Sequence, residues 1–245
     1  MNVSVILKLQ ERKGFMGSIP LEKNLNWWWY RAKYNLLNFI LLKSNLKNNI
    51  KILEIGPGLG NNLSLLNKFG YVDVLENEQE FIDYLQLTQH KNIKKIYKSL
   101  SEVNHKYDLI IMLDVLEHIE NSKEFMISLN TILDNNGFII LGVPAYQSLW
   151  SAHDEKLLHF RRYNWSKLYS DCSSYHVSER YGLNYLLLPI RYLQIKFNKT
   201  TTINDSGDLI NKVLYLISFI EVILRKLGIN PKFGISIYAK LKKKN

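Results

Sequence analysis

The sequence predicts an α/β protein built on a doubly wound, parallel sheet, and three observations carry that reading. From residue 51 onward, short β-rich runs alternate with helical patterns, the rhythm of strands joined by crossover helices. Two of these runs, YDLIIML and GFIILGV, are continuously apolar, which suits strands covered on both faces. A glycine-rich turn follows the first run, and open α/β sheets bind ligands beyond the carboxyl ends of their strands.

The elements follow in order. Residues 1–48 read as an N-terminal helical extension that includes the aromatic-rich segment NWWWYRAKYNLL. Strands are expected at 51–55, 71–75, 94–98, 107–113 and 138–143, with helices at 61–69, 78–88 and 120–134. After Pro144 the pattern changes to a polar, aromatic and basic loop (AYQSLWSAHDEKLLHFRRYN), then a helix near 165–172 and a strand beginning near Tyr175. Helices at 186–197 and 208–227 precede a last β-rich run at 233–241. Internal repeats and low-complexity linkers are absent from the sequence. Residues 1–245 therefore read as one domain, with a ligand-binding core at 49–145 and a region of loop, late helices and final strand at 146–245.

Composition narrows the function classes. The chain has 245 residues, 47% hydrophobic, enough for a full core and too apolar for a disordered chain. Cys172 is the only cysteine, which excludes an intrachain disulfide and Cys-based zinc sites and suits a reducing compartment. The N-terminal apolar run is short and interrupted by Lys8, too weak for a secretory signal, and the longest later candidate, 213–220, is closed by Glu221. A soluble, cytoplasmic protein is expected. The net charge of +10 is unevenly placed: residues 1–60 carry 9 basic and 3 acidic side chains, residues 191–245 carry 11 and 3, and residues 101–160 carry 3 and 9. The basic excess surrounds apolar helical sequence at the two ends. An anionic membrane surface or an acidic substrate fits this as naturally as a nucleic acid.

The most informative segment is KILEIGPGLGNNL. A buried strand ends in Gly56-Pro57-Gly58-Leu59-Gly60, and Asn61 or Asn62 can cap the following helix. Alternate glycines let the chain turn sharply and bring a ligand against the main chain, and the helix start offers unpaired N–H groups to an anionic group. The GxxxxGK[ST] phosphate loop is absent, and the dinucleotide pattern GxGxxG fails because Asn61 stands at its third glycine. Glu76 closes the second strand twenty residues after Gly56, where a carboxylate can accept both ribose hydroxyls of an adenosine.

These residues resemble a known family. Glu54-x-Gly56-x-Gly58-x-Gly60 is similar to motif I of the class I S-adenosylmethionine-dependent methyltransferases, and Glu76 matches their ribose-binding acid. YDLIIMLDVLEHI and NNGFIILGVP resemble their fourth and fifth strands, and 143–164, 26–37 and 231–243 are similar to a bacterial subgroup of unassigned substrate. The resemblance covers nearly the whole chain. It implies a Rossmann-like methyltransferase sheet, mostly parallel with an antiparallel last strand, an N-terminal helical cap and a helical insertion before that strand. It implies S-adenosyl-L-methionine as cofactor, held by Glu54, Gly56, Gly58, Gly60 and Glu76, with Asp114 beside the sulfonium. Relatives often place an Asp after strand three to bind adenine; here the segment is Lys98-Ser99-Leu100-Ser101-Glu102, and Ser99 or Ser101 is the candidate.

Methyl transfer requires alignment of donor and acceptor and, for some acceptors, removal of a proton. The acceptor is expected above the strand ends, which brings in the loop after Pro144. His153 is the first candidate for a general base, His159 the second, and Tyr163 a further catalytic candidate, since imidazole titrates near neutral pH. Tyr146, Trp150, Arg161, Arg162, Trp27 and Arg31 are the candidate acceptor contacts, with Arg161 and Arg162 able to clamp a carboxylate or phosphate. Arg and His can instead pair with Asp154 and Glu155 to fix a lid. The spacing of His153, Asp154 and His159 matches no standard metal set, and no metal is expected. The expected reaction is methylation of a small-molecule or lipid-linked acceptor, with no nucleic-acid partner. The helix at 208–228 and the basic C-terminus are candidates for peripheral contact with the inner membrane surface. The competing classes are a non-catalytic cofactor-fold module at a membrane surface and, on a similar sheet, a dinucleotide-dependent oxidoreductase.

Overall fold

The structure, a computed structural model, describes residues 27–89, 91–197 and 208–244. Residues 1–26 of the expected N-terminal extension lie outside the described residues. In chain order the elements are α1 (Trp28–Lys43), β1 (Ile50–Ile55), α2 (Leu63–Leu66), β2 (Gly70–Leu75), α3 (Gln79–Thr88), β3 (Lys95–Tyr97), β4 (Tyr107–Leu113), α4 (Ser122–Ser128), β5 (Leu133–Pro144), α5 (Ala152–Lys156), α6 (Trp165–Asp171), β6 (Tyr175–Leu183), α7 (Leu188–Lys196), α8 (Asp208–Lys226) and β7 (Ser236–Lys243).

The strands form one seven-stranded sheet in the order β3-β2-β1-β4-β5-β7-β6. β1 to β5 pair in parallel, while β7 inserts antiparallel between β5 and β6. This is the Rossmann-like methyltransferase sheet expected from the sequence, antiparallel last strand included. Alternation along β4 shows how it is covered. Leu109 and Ile111 face a layer with Leu37 and Ile40 of α1, Leu63 of α2 and Leu85 of α3. Ile110 and Met112 face the opposite layer, with Met126 of α4 and Leu168 of α6. All ten side chains are buried, and each contributes about 1.5–3 kcal/mol through the apolar surface it removes from water.

Several boundaries move for local reasons. The helix expected at 61–69 shrinks to the single turn of α2. Asn62 stands at its N-cap position, but its side-chain amide turns away to Glu54 Oε1 at 2.8 Å instead of capping. The helix expected at 120–134 stops at Ser128, passes through a 3₁₀ turn at Leu129–Thr131, and gives residues from Leu133 onward to β5. The loop after Pro144 contains an unexpected short helix, α5. Ser151 and Asp154 start it as a capping pair: Ser151 N–H donates to Asp154 Oδ2 at 2.9 Å and Asp154 N–H to Ser151 O at 2.9 Å.

The late helix α8 packs against α1, where Trp28 N–H donates to Asn211 Oδ1 at 2.9 Å and the Arg31 guanidinium lies 3.4 Å over the Tyr215 ring. Its inner side is mixed: Leu214, Tyr215 and Ile217 pack half-buried against Trp27 and Trp28, but the fully buried positions are polar. The buried side chains of α8 are Ser218, Glu221 and Arg225, while Leu209, Val213, Leu216, Ile220 and Ile223 are exposed. Polar bonds fasten the inner face: Glu221 accepts from Asn184 N–H and Leu186 N–H, both at 2.9 Å, and Arg225 donates to Gly182 O and to Glu221. No helix among the described residues is long and apolar enough to cross a membrane.

Candidate functional site

A cavity of about 1230 Å³ opens over the carboxyl ends of β1, β2 and β4 and runs beneath α1 and α8 to the loop after β5. The sheet register sets its floor. Ile55 pairs with Leu75, and Gly56 N–H donates to Leu75 O at 2.9 Å, so the glycine turn and Glu76 leave the sheet side by side. Gly56, Gly58 and Gly60 all have positive φ, at 65°, 53° and 73°. A Cβ on Gly56 would meet Val115 Cγ2 at 2.6 Å, whereas a Cβ on Gly58 would meet nothing and project into the open cavity. Only glycine keeps that floor bare without backbone strain.

The walls of this end carry the expected acids. Glu54 is buried with Oε1 on Asn62 and Oε2 unpartnered among the described residues; burial raises its carboxyl to about 7, against the opposing pull of Asn62. Glu76 Oε1 accepts from Asn77 N–H at 2.9 Å and Glu78 N–H at 3.1 Å, and its carboxylate also lies against the Gly58 amide. Burial raises Glu76 above the usual carboxylate range despite these bonds. A bare glycine cradle, an orphaned buried carboxylate oxygen and a strand-end acid within one cavity fit the ammonium, sulfonium chain and ribose of S-adenosylmethionine.

Asp114 ends β4 in the left-handed region, φ 55°, where a non-glycine residue stores strain. It is paired with Lys33 of α1, a partner invisible in the sequence because helix and strand end are brought together only by packing. Burial lowers the Lys33 ammonium, but Asp114 outweighs it and holds the pKa above the ordinary lysine value. Beyond lies Glu117, fully buried, with neither carboxylate oxygen partnered among the described residues. Burial and then Asp114 push its carboxyl well up, toward the protonated form.

At the other end, Asp154 organises the wall although it is fully buried. Oδ1 accepts from His159 Nδ1 at 3.0 Å and from Arg162 Nε at 2.7 Å; Oδ2 accepts from Arg162 Nη2 at 3.1 Å and from Ser151 N–H and Oγ–H. Burial alone would raise this carboxyl, yet the bonds from His159 and Arg162 hold it far below the usual range. His118 stands edge-on to His159, ring centres 4.5 Å apart, and burial followed by His159 lowers it to about 4. Glu117, His118 and His159 offer one ligand atom each, all within 4.8 Å of one another, a donor set able to hold a metal ion. The sequence reading weighed a different trio, His153, Asp154 and His159, but Asp154 is saturated by other partners.

Of the expected site residues, Glu54, Gly56, Gly58, Glu76, Asp114, His153, His159, Arg162, Trp27 and Arg31 line this one cavity. The others have different employment. Gly60 shapes the turn behind the cavity, packed toward Leu63 and Leu85. Ser99 faces Ser101 at 2.8 Å and Glu102 at 3.1 Å, away from the cavity lining, which Lys98 and Phe81 reach instead. Tyr163 is a fully buried core side chain whose hydroxyl donates to Leu116 O at 3.4 Å; burial raises it to about 12, so it is not the expected catalytic group. Arg161 does not line the cavity either. It ties the β4–α4 connection, donating to Ile119 O at 2.7 Å, Glu120 O at 2.7 Å and Ser122 Oγ at 2.9 Å. Arg162 reaches the cavity only as the partner of Asp154 and Ala145 O. Tyr146, at φ 59°, packs against the core, and Trp150 also stands outside the lining. The alternative of pairing with Asp154 thus describes Arg162 and His159, while Arg161 is held by carbonyls and a hydroxyl instead. Lys33, Glu117 and Arg191 were not anticipated.

Comparison with known proteins finds methyltransferases among related sequences and folds. A ubiquinone biosynthesis O-methyltransferase of Rickettsia bellii is 30% identical over 139 residues, covering 49% of this chain. The chain spans 58% of that relative's length. Among solved structures, a putative methyltransferase of Haloferax volcanii, in complex with its Trm112 activator, aligns with TM-score 0.58 at 12% identity, covering 89% of this chain and 90% of that one. An S-adenosylmethionine-dependent methyltransferase of Clostridium acetobutylicum aligns with TM-score 0.56 at 13% identity, covering 88% and 92%. Residues 22–188, more than half of the sequence, match the methyltransferase-domain family, and the chain belongs to that family.

Proposed function

We propose that the protein transfers a methyl group from S-adenosylmethionine to a small-molecule acceptor. The observation that carries this reading is the joint placement of the bare Gly58 floor, the unpartnered Glu54 Oε2 and Glu76 in one cavity. Gly56, Gly58 and the turn backbone hold the methionine end, Glu54 Oε2 accepts from its ammonium, and Glu76 accepts from the ribose hydroxyls. Leu75, Asn77, Phe81 and Lys98 flank Glu76 and enclose the adenine. Bound there, the cofactor supplies an electrophilic methyl carbon on a sulfonium.

This chain's residues then orient the acceptor, exclude water and take a proton. His159 is the preferred base. Asp154 can only accept a hydrogen bond, so it fixes the proton on Nδ1 and leaves the Nε2 lone pair free to take the proton of an acceptor hydroxyl as oxygen bonds the methyl group. His153, also on the cavity wall, is the second choice, because burial lowers its basicity. The O-methyltransferase name of the Rickettsia relative supports oxygen as the accepting atom. A lipid-linked acceptor and peripheral membrane contact extend this reading. They are supported by the outward apolar stripe Leu209, Val213, Leu216, Ile220 and Ile223 beside the cavity-lining Tyr215, and by the basic C-terminus, where Lys242 and Lys244 are exposed.

The test is calorimetric titration with S-adenosylmethionine and S-adenosylhomocysteine, followed by label transfer from methyl-labelled cofactor into a metabolite and lipid extract. Micromolar binding, weakened at least a hundredfold by Gly58→Val, is expected, since a branched side chain would fill the floor. Labelled product completes the case. Binding without transfer would favour a non-catalytic module, and binding of NADH in place of both would defeat the proposal.

A further inference from the structure

The arginines expected to grip an anion, Arg161 and Arg162, are both consumed by internal bonds, yet among the described residues two cavity-lining guanidiniums have no carboxylate within ion-pair distance: Arg31, which stacks on the Tyr215 ring, and Arg191. Arg191, in the first turns of α7, lines the cavity beside His153 and Arg162. Its Nη2 donates to Ser151 Oγ at 3.2 Å, and among the described residues no carboxylate lies within ion-pair distance. Asp154 is the acid whose charge reaches it, but both oxygens of Asp154 are already filled by Arg162, His159 and Ser151. Two guanidiniums thus share one carboxylate. Burial, and then the Arg162 charge, lower the pKa of Arg191, as expected of a cation short of a counter-charge. The cavity that Arg191 lines also carries the apolar and aromatic side chains of Leu157, Phe160, Tyr215 and Trp27.

We propose that Arg191 seats an oxyanion of the acceptor: the methyl group is delivered to a molecule with an aromatic or apolar body that carries a carboxylate or phosphate. The inference deepens the methyltransferase reading and rests on it. Ser151 holds one edge of the guanidinium and leaves its other N–H groups to meet two anion oxygens in parallel, a geometry lysine cannot supply. The burial of Arg191 keeps water from this pair and strengthens it.

The experiment uses the full chain loaded with S-adenosylhomocysteine and titrated with phenylacetate, phenyl phosphate and the uncharged phenylacetamide. At least a tenfold preference for one of the anions over the amide is expected, and which anion wins identifies the oxyanion. Arg191→Met should reduce that preference below twofold, and Arg191→Lys should leave it intermediate, while S-adenosylhomocysteine affinity stays within twofold in both. No preference in the unaltered protein, no binding of any of the three probes, or a preference surviving Arg191→Met would overturn the inference. If S-adenosylhomocysteine itself fails to bind, the methyltransferase reading fails separately. The three probes then decide the anion seat on the unloaded protein by the same criteria.

Discussion

The two ends of the cavity are built on opposite plans. The end over β1 and β2 is made of backbone: three glycines at positive φ, a strand register that sets Gly56 beside Glu76, and acids at strand ends. The end beneath the loop after β5 is made of side chains that hold one another, with Asp154 at the centre of five hydrogen bonds. A backbone-built site depends on few residues and tolerates change around them. A side-chain-built site fails as a unit when its hub is removed.

That contrast can be broken first at the hub. Asp154→Asn should cost about 3–5 kcal/mol of stability in a urea titration, because it leaves the buried Arg162 guanidinium without its counter-charge. A loss below about 1 kcal/mol would show that the loop is held by apolar packing instead. Next, Glu76→Ala should leave the urea midpoint almost unchanged and weaken S-adenosylhomocysteine binding about thirtyfold, roughly 2 kcal/mol, through lost charge-assisted bonds. If stability falls as far as affinity, the first end is not the backbone-built site described above.

The smallest expected effect concerns pH and Glu54. Its carboxyl titrates at about 7 in the folded protein, above its ordinary value near 4.5. Between those values the folded state binds more protons than the unfolded one, so this group's contribution to stability is full at low pH and is lost as pH rises toward 7. Cofactor binding runs the other way, because the ammonium needs the ionised form. Affinity should rise about tenfold between pH 6 and 8 and level off above. Glu54→Gln should flatten the profile; an unaltered profile in that variant would assign the titration to another group.

The same contrast explains what could be read in the sequence. The apolar runs at 107–113 and 137–143, the glycines at 56, 58 and 60 and the acid at 76 act through local rules, namely strand burial, turn geometry and a fixed distance along the chain. They led to the sheet and to the cofactor end of the cavity. Arg161 and Tyr163 carried the right chemistry but stand outside the cavity lining, and Arg162 lines it with its guanidinium on Asp154, because only tertiary contacts decide what a side chain meets. The Ser151-x-x-Asp154 spacing was a legible capping signal that would have removed Asp154 from the metal candidates. Lys33 and Arg191 had no such signal, for each reaches the cavity on a helix distant in sequence from the glycine turn. Glu117 stood three residues past Asp114, but its burial depends on packing the sequence does not display. The short α2 escaped because Asn62, a good cap by type, is claimed by Glu54.

The position of β7 carries a consequence for biosynthesis. It is made after the other strands, yet it lies between β5 and β6, and β6 joins the sheet only through it. As the polypeptide leaves the ribosome, strands β1 to β5 can zip together in order, while β6 has nothing to bond until Ser236–Lys243 has emerged. Until then the nascent chain exposes two unsatisfied edges, the interval in which it most needs a chaperone.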